Sequence, residues 1–320
     1  MNYLITGACG FIGFNLALKL LERKKIVIGL DNLDNYYSVK LKKKRLEELR
    51  KLKNFFFYKC DINSIKNLEK IFIKHKPKII IHLAAQAGVG YSFKNPTKYI
   101  DTNIKGYLNI LELCKKYRPK KIFNASSSSV YGDSIKFPLK ESGFVNPKNI
   151  YGLSKKTGES ISEIYSKNYN LKIFCLRFFT VFGEWGRPDM VMLKLLHSAF
   201  TNKTFFLNNF GNHVRDFTYV GDLTSNLTKL MSIKIIKKFD IINFCSNKPI
   251  KLTDIIQYIE KKTNKIRIVK RKLQKADIIK THGSNTKLRK YIGKLSMTKT
   301  NHAIDKTIDW YKNTYFKYKN

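Results

Sequence analysis

Tyr151 and Lys155 stand four residues apart in Ile150-Tyr151-Gly152-Leu153-Ser154-Lys155, a spacing that sets both side chains on one face of a helix. A free phenol, with a pKa of about 10, is ionised in roughly one molecule in a thousand at neutral pH. A neighbouring ammonium stabilises the phenolate, and a downward shift of three units corresponds to about 4 kcal/mol. Tyr151 is thereby a candidate general base, with Lys155 as its electrostatic partner. Hydroxyls are supplied upstream by Ser126-Ser127-Ser128-Ser129, just before Val130-Tyr131-Gly132. Ser126 and Ser129 suit ordinary strand-end hydrogen bonding. The Tyr-x-x-x-Lys pattern is common by chance, so its weight depends on what precedes it.

What precedes it is Thr6-Gly7-Ala8-Cys9-Gly10-Phe11-Ile12-Gly13, between a strand pattern and a helix pattern. Gly7, Gly10 and Gly13 permit a tight turn, close approach of the backbone to a pyrophosphate, and close helix–strand packing, with Phe11 and Ile12 opening the helix. Asp31 ends the second strand pattern, where its carboxylate can accept hydrogen bonds from an adenosine ribose and repel a 2′-phosphate. No Arg follows in Asn32-Leu33-Asp34-Asn35. The expected cofactor is therefore NAD rather than NADP, with Lys43 on the next helix within reach of a phosphate. Its oxidised nicotinamide adds a second positive charge favouring the Tyr151 phenolate. Asp61 and Ile62 read either as the flank of the adenine or as a helix cap and a core residue. Leu83-Ala84-Ala85-Gln86 offers small side chains against which a cofactor can lie.

These residues need a frame, and the first half supplies it by alternating short β-branched runs with helical patterns, as βαβ units do. Strands are expected at Asn2–Thr6, Ile26–Leu30, Phe55–Lys59, Ile79–Leu83, Lys121–Ala125 and Lys172–Phe178. Helices are expected at Ile12–Glu22, Val39–Leu52, Ile65–Lys74, Thr97–Tyr117 and Ser154–Asn168. The alternation predicts an α/β fold with a doubly wound parallel sheet, its ligand crevice at the carboxyl ends of the strands. Phe239–Cys245 reads as a further buried strand returning to that sheet. The division is then 1–178 plus about 238–246 for the cofactor, and about 179–237 plus 247–320 for a smaller, discontinuous α/β substrate domain. Helical signals there fall at Met190–Phe200, Asp222–Met231, Leu252–Lys262 and His302–Tyr311.

With these motifs in place, the chain resembles the extended short-chain dehydrogenase/reductase family over nearly its whole length, which implies a Rossmann domain. By position relative to Val130-Tyr131-Gly132, Ser127 matches the residue that bridges sugar hydroxyl and tyrosine in the family's epimerases. Ser128 and Ser129 fall where sugar-nucleotide dehydratases carry Asp and Glu, and neither can replace a carboxylate in eliminating water. The resemblance is nearest to UDP-glucuronate 4-epimerases. It is carried by Ala84-Ala85-Gln86-Ala87-Gly88-Val89 with Tyr91-Ser92 and by Arg177-Phe178-Phe179-Thr180-Val181-Phe182-Gly183. Trp185-Gly186-Arg187-Pro188-Asp189-Met190 and Arg215-Asp216-Phe217-Thr218-Tyr219-Val220 continue it.

The family resemblance implies that Thr180 and Arg187 hold the uronate carboxylate, Arg215 the diphosphate, and Gln274 with Asp277 the nucleotide, alongside Ser127, Ser128 and Tyr151 at the sugar. Three residues depart from its pattern: Gly90 in place of Arg, Glu184 in place of Pro, and Ala276 in place of Gly. Arg177 and Trp185 read as structural. The expected reaction is NAD-dependent epimerisation at carbon 4 of a UDP-sugar, UDP-glucuronate first, through a 4-keto intermediate. A 4-epimerase of a neutral UDP-hexose, a UDP-glucuronate decarboxylase and a non-enzymatic NAD-binding scaffold are the alternatives. The resemblance also implies a homodimer, with Ile100, Ile104, Leu108, Leu111, Ile161, Ile164 and Tyr165 as the apolar seam of two paired helices.

Composition narrows the rest. A chain of 320 residues with 43% apolar side chains can bury a large core. The five cysteines, at 9, 60, 114, 175 and 245, lack the spacing of a metal knuckle or redox pair, so no metal and a reducing cytoplasm are expected. No segment approaches the roughly 20 apolar residues that span a bilayer. A formal charge of +39 would attract polyanions. It is mostly Lys spread over every segment, where a dedicated nucleic-acid binder concentrates Arg and aromatics on one element. Neither a nucleic-acid nor a membrane partner is expected.

Overall fold

The computed structural model describes residues 1–274 and 277–319; Ala276, one of the three departures above, lies outside the described residues. The first half runs β1 (Asn2–Thr6), α1 (Phe11–Glu22), β2 (Ile26–Asp31), α2 (Val39–Arg50), β3 (Phe55–Lys59), α3 (Ile65–His75) and β4 (Ile79–His82). It continues through α4 (Val89–Lys94), α5 (Pro96–Tyr99), a wide helical stretch at Ile100–Gly106, α6 (Tyr107–Tyr117), β5 (Lys121–Ser127), α7 (Ile150–Tyr169) and β6 (Ile173–Phe178). Further on come β7 (Thr180–Phe182), α8 (Val191–Thr201), β8 (Phe205–Leu207), β9 (Val214–Tyr219), α9 (Val220–Ser232) and β10 (Phe239–Phe244). The last part adds β11 (Pro249–Lys251), α10 (Leu252–Lys262), β12 (Ile268–Lys270), α11 (Thr286–Ile292) and α12 (Thr300–Trp310).

Seven strands form one parallel sheet in the order β10-β6-β5-β4-β1-β2-β3. The chain winds one way from β1 to β3 and the other way from β4 to β10, so the crevice opens beyond the carboxyl ends of β1 and β4. Successive strand residues point to opposite faces, and both faces are covered. Leu4 and Ile5, neither exposed, enter different cores, one with Ile28, Ile80 and Tyr107, the other with Phe14, Ile81 and Phe123. Burying each such side chain is worth about 1.5–3 kcal/mol. β10 returns from the second half to pair with β6, Ile242 opposite Leu176. A separate core of Leu195, Leu196, Phe205, Ile256, Ile259 and Ile304 holds α8, α10 and α12 together.

Two elements differ from the sequence reading in ways that matter to the site. Helix α7 starts at Ile150, capped by Asn149, whose Oδ1 accepts from the Gly152 N–H at 2.8 Å. Tyr151 therefore sits in its first turn, not ahead of a helix from Ser154. The single helix expected over Thr97–Tyr117 widens at Ile100–Gly106. There the buried Asn103 braces Gln86 from behind, accepting from Gln86 N–H at 2.8 Å and donating to Gln86 O at 3.0 Å and to Ser154 Oγ at 2.9 Å. Wide turns of this kind are frequent at functional sites. β7, β8, β11 and β12 carry three residues each, too short for periodicity to reveal them, and the six-residue β9 is interrupted by Arg215, Asp216 and Thr218 and so shows no apolar run. No described helix is long and apolar enough to cross a membrane.

Candidate active site

One cleft runs across the carboxyl end of the sheet. Gly7, Gly10, Phe11, Ile12, Gly13, Asp31, Asn32, Ile62, Leu83, Ala84, Ala85, Gln86, Ser127, Tyr151, Lys155 and Arg187 all line it, so residues far apart in sequence meet in one place. At its floor Gly7 takes φ +72, and a Cβ there would lie 2.8 Å from Ala84 N. A Cβ on Gly13 would lie 2.1 Å from Gly7 O, so only glycine lets α1 seat against the turn. The leading N–H groups of α1, which lack intrahelical acceptors, open into the cleft beside Asp31.

Asp31 is buried, and its oxygens accept from the Cys9 N–H at 2.9 Å and the Leu33 N–H at 2.8 Å. Burial raises its carboxyl above the usual range, against which the two N–H groups and the Lys42 and Arg45 charges act. The glycine floor, the helix end and this acid fit an adenine dinucleotide with free ribose hydroxyls. Lys43 does not join them: it is exposed, while its neighbour Lys42 is buried, lines the cleft and donates to Asp34 O at 2.6 Å. The helical period explains the correction, because Lys42 shares the inner face of α2 with Arg45, Leu46 and Leu49 and Lys43 does not. Asp61 is also exposed and outside the lining. Its oxygens accept from Asn32 Nδ2 and the Asn63 N–H, each at 2.8 Å, which closes a turn ahead of α3, whose N-cap is Ser64 and not Asp61, whereas Ile62 faces the cleft.

At the other end lie the catalytic candidates. Lys155 is buried and donates to Ala125 O at 2.8 Å, and burial pushes its amine down to about 8. Burial also raises the Tyr151 phenol, opposed by hydrogen bonding with Ser127 and by the Arg187 charge. Ser127 Oγ lies 3.2 Å from Ser129 Oγ and accepts from the Ser129 N–H at 3.1 Å. Ser128 is half-buried and outside the lining. Among the described residues, the carboxylates that line the cleft are Asp31 and Asp34. Arg177 and Glu159 form a fully buried pair at 2.8 and 2.9 Å behind the serines, a structural role.

Arg187 reaches the cleft with its guanidinium 5.6 Å from the Tyr36 ring centroid and 5.9 Å from that of Tyr37. Thr180 is half-buried and outside the lining, although Phe179 and Val181 on either side belong to it. Arg215, Asp277 and Gln274 also stand apart from this cleft. Arg215 donates to Ile279 O at 2.7 Å, and Asp277 accepts from Asn208 Nδ2 at 3.1 Å, with His213 Nε2 at 3.9 Å. Gln274 is exposed, its carbonyl accepting from the Asp277 N–H at 3.0 Å. Gly90 faces open space, with nothing within 4 Å of a Cβ there. Glu184 accepts from the Tyr219 hydroxyl at 2.9 Å. The sequence reading missed Lys42, Tyr36, Tyr37, Thr102 and Met190 in the lining. For the two tyrosines no periodic signal existed, since they sit in the irregular segment ahead of α2.

Residues 3–243 match the NAD dependent epimerase/dehydratase family. The chain belongs to that family. Among its relatives, the UDP-glucuronate 4-epimerase of Thermodesulfobacterium geofontis is 37% identical over 315 residues, covering 97% of this chain and 96% of the relative. The crystal structure of the UDP-glucuronic acid 4-epimerase from Bacillus cereus, in complex with UDP-glucuronic acid and NAD, superposes with a TM-score of 0.93. It is 29% identical and covers 98% of this chain and 100% of its own. The UDP-glucose 4-epimerase of Thermotoga maritima, solved with UDP-glucose, has a TM-score of 0.89 at 27% identity, covering 98% and 100%. The fold is that of this epimerase family, a Rossmann-like sheet flanked by helices.

Proposed function

We propose that this protein is an NAD-dependent isomerase that inverts carbon 4 of UDP-glucuronate, giving UDP-galacturonate. The observation that carries the reading is one cleft in which Ser127, Tyr151 and Lys155 face Arg187 across from a glycine turn closed by Asp31. The 37% identity to a UDP-glucuronate 4-epimerase supports the substrate. Arg187 is the feature a neutral hexose would leave without a partner. The proposal divides the chain as the sequence suggests: residues 1–178 with about 238–246 hold the cofactor, and the remainder holds the sugar nucleotide. A homodimer working in the cytoplasm belongs to the same reading.

Bound NAD accepts and returns the carbon 4 hydride. Tyr151 takes the proton of the 4-hydroxyl, directly or through Ser127, and Lys155 steadies the phenolate. Arg215, Gln274 and Asp277 anchor the UDP, so that the 4-keto sugar turns over against a fixed point and presents its other face. Thr180, Ser128 and Arg187 hold the sugar and its carboxylate. Incubation with UDP-glucuronate, UDP-galactose and UDP-N-acetylglucosamine, with chromatographic separation of products, tests the assignment. Conversion of UDP-glucuronate to UDP-galacturonate is expected; turnover of a neutral sugar alone, or a pentose product, would refute it.

A further inference from the structure

Arg45 has no exposed surface, yet its four acceptors are all neutral. Nη1 donates to Cys9 O at 2.9 Å and to the Tyr37 hydroxyl at 2.7 Å. Nη2 donates to Trp185 O at 2.5 Å and to Gly186 O at 3.0 Å. Cys9 lies in the glycine turn, between Gly7 and Gly10, and Trp185-Gly186 leads directly into Arg187. One guanidinium thus joins the dinucleotide turn to the loop that carries the carboxylate clamp. The Asp31 charge acts on this guanidinium from nearby, but burying a cation with no carboxylate hydrogen-bonded to it is costly, and an apolar side chain would fill the same volume without that cost.

The loop it holds is strained. Trp185 takes φ +59, a region that bulky side chains rarely adopt and that persists only where the surroundings over-determine it. Its indole is wedged between Phe14 of α1 at 4.8 Å and Trp310 of α12 at 5.5 Å, and its carbonyl is held by Arg45. Tyr37 completes the link, with its ring 5.6 Å from the Arg45 guanidinium and 5.9 Å from that of Arg187. Lysine cannot reproduce the arrangement, since a single ammonium has three N–H groups on one atom where the guanidinium spreads four over two.

We infer that Arg45 is a positioning residue that fixes the Arg187 loop against the cofactor turn, so that dinucleotide retention and recognition of the substrate carboxylate depend on one buried side chain. The inference rests on the reading of Arg187 as the carboxylate clamp. The test compares wild-type, Arg45→Lys and Tyr37→Phe holoenzymes by release of bound NAD on dilution, by KM for UDP-glucuronate, and by inhibition with UDP, which lacks the carboxylate. In Arg45→Lys, NAD release and KM are expected to rise on the order of tenfold, as small misplacements of a site do, while UDP inhibits within about twofold of wild type. Tyr37→Phe, which removes one bond and keeps the charge, should move the same two quantities in the same direction by roughly threefold, and it decides the matter where Arg45→Lys does not fold. Unchanged NAD release and KM in a folded variant, or equal weakening of UDP and UDP-glucuronate, would overturn the inference. Failure of the substrate reading appears separately, as a wild type that does not turn over UDP-glucuronate, and NAD release then decides the role of Arg45.

Discussion

Arg187 meets Asp189 side-on, Nε to Oδ1 at 3.0 Å and Nη2 to Oδ2 at 2.5 Å, which commits one edge of the guanidinium inside the protein. Tyr36 adds a hydroxyl to the same Asp189 oxygen at 3.1 Å. The remaining edge, with Nη1, is the one free of Asp189, so in the proposed clamp Asp189 orients the guanidinium and offsets its charge toward the substrate. Asp189→Asn separates the two effects. The added positive charge should lower KM for UDP-glucuronate by a few-fold, while a loosened guanidinium lowers kcat. A raised KM with unchanged kcat in steady-state assays would contradict this division of roles.

Removing Arg187 tests the clamp itself, through the chemistry of the intermediate. Oxidation at carbon 4 turns the uronate into a β-keto acid, which loses carbon dioxide when the breaking bond stands perpendicular to the ketone plane. A fixed carboxylate avoids that alignment. Arg187→Ala also leaves Asp189 facing the substrate's negative charge, so the loss exceeds one missing attraction. A fall of about 2 kcal/mol, roughly thirtyfold in kcat/KM, is expected, with UDP-pentose appearing among the products. Arg187→Ala/Asp189→Ala should recover part of the affinity. Wild-type kinetics in Arg187→Ala by mass-spectrometric product analysis would eliminate the clamp and favour a neutral hexose.

Asp31 is the residue on which the preference for NAD is expected to rest. Its carboxylate both receives the turn's Cys9 N–H and stands where an adenosine ribose would lie. Asp31→Ala therefore removes a ribose partner and leaves a buried N–H without its acceptor, at about 1–3 kcal/mol each. Purified wild type should carry NAD, and the variant should lose it by one to two orders of magnitude in affinity. A wild-type preference for NADP in titration calorimetry would reverse the assignment.

The residues that could be read in advance share a physical property. Gly7, Gly13 and Asp31 follow from backbone geometry that few residues satisfy, and Tyr151 with Lys155 from a helical spacing. β1 and β3 have the bounds expected of them, β1 as a buried parallel strand written as a continuous apolar run and β3, an edge strand without a fully buried residue, through its aromatic run Phe55-Phe56-Phe57-Tyr58. Lys42 and Lys43 could not be told apart in advance, because both are lysines and only the buried face of α2 distinguishes them. Asp189 was quoted within a motif but not assigned, since its role exists only in contact with Arg187. Arg45 was invisible for a stronger reason: its partners at Cys9 and Trp185 are backbone carbonyls, to which side-chain identity gives no clue.

The proposed dimer can now be stated more narrowly. Ile100, Leu108 and Ile164 are exposed on the α6 and α7 side of the molecule and Leu153 joins them, whereas Leu111 is fully buried in the core and Ile104, Ile161 and Tyr165 are half-buried. Light scattering at micromolar concentration should give twice the 37.4 kDa chain mass. Leu108→Lys/Ile164→Lys should shift it to monomer by placing charges in an apolar seam. A monomeric wild type would end this expectation.

Lys155 and Tyr151 are both pushed by burial away from the charged pair that the chemistry requires, the amine down to about 8 and the phenol up. In the cofactor-free protein this has a consequence for stability whose sign can be worked out. Below pH 8 Lys155 is protonated in folded and unfolded chains alike, and the folded state bears the full cost of a buried ammonium. Between pH 8 and about 10.4, the usual lysine value, the unfolded chain binds more protons, so stability rises with pH. Lys155→Met should therefore melt several degrees above wild type at pH 7, an effect of up to ~3 kcal/mol, and the gap should close towards pH 10. Turnover should move the opposite way, collapsing in Lys155→Met because nothing then steadies the phenolate, and in Tyr151→Phe because no proton acceptor remains, while both still bind UDP. Ser127→Ala, which keeps the phenol, should be less impaired. A Lys155→Met protein no more stable than wild type at pH 7 would show that the buried amine is not under strain, and undiminished turnover in Tyr151→Phe would remove Tyr151 as the base.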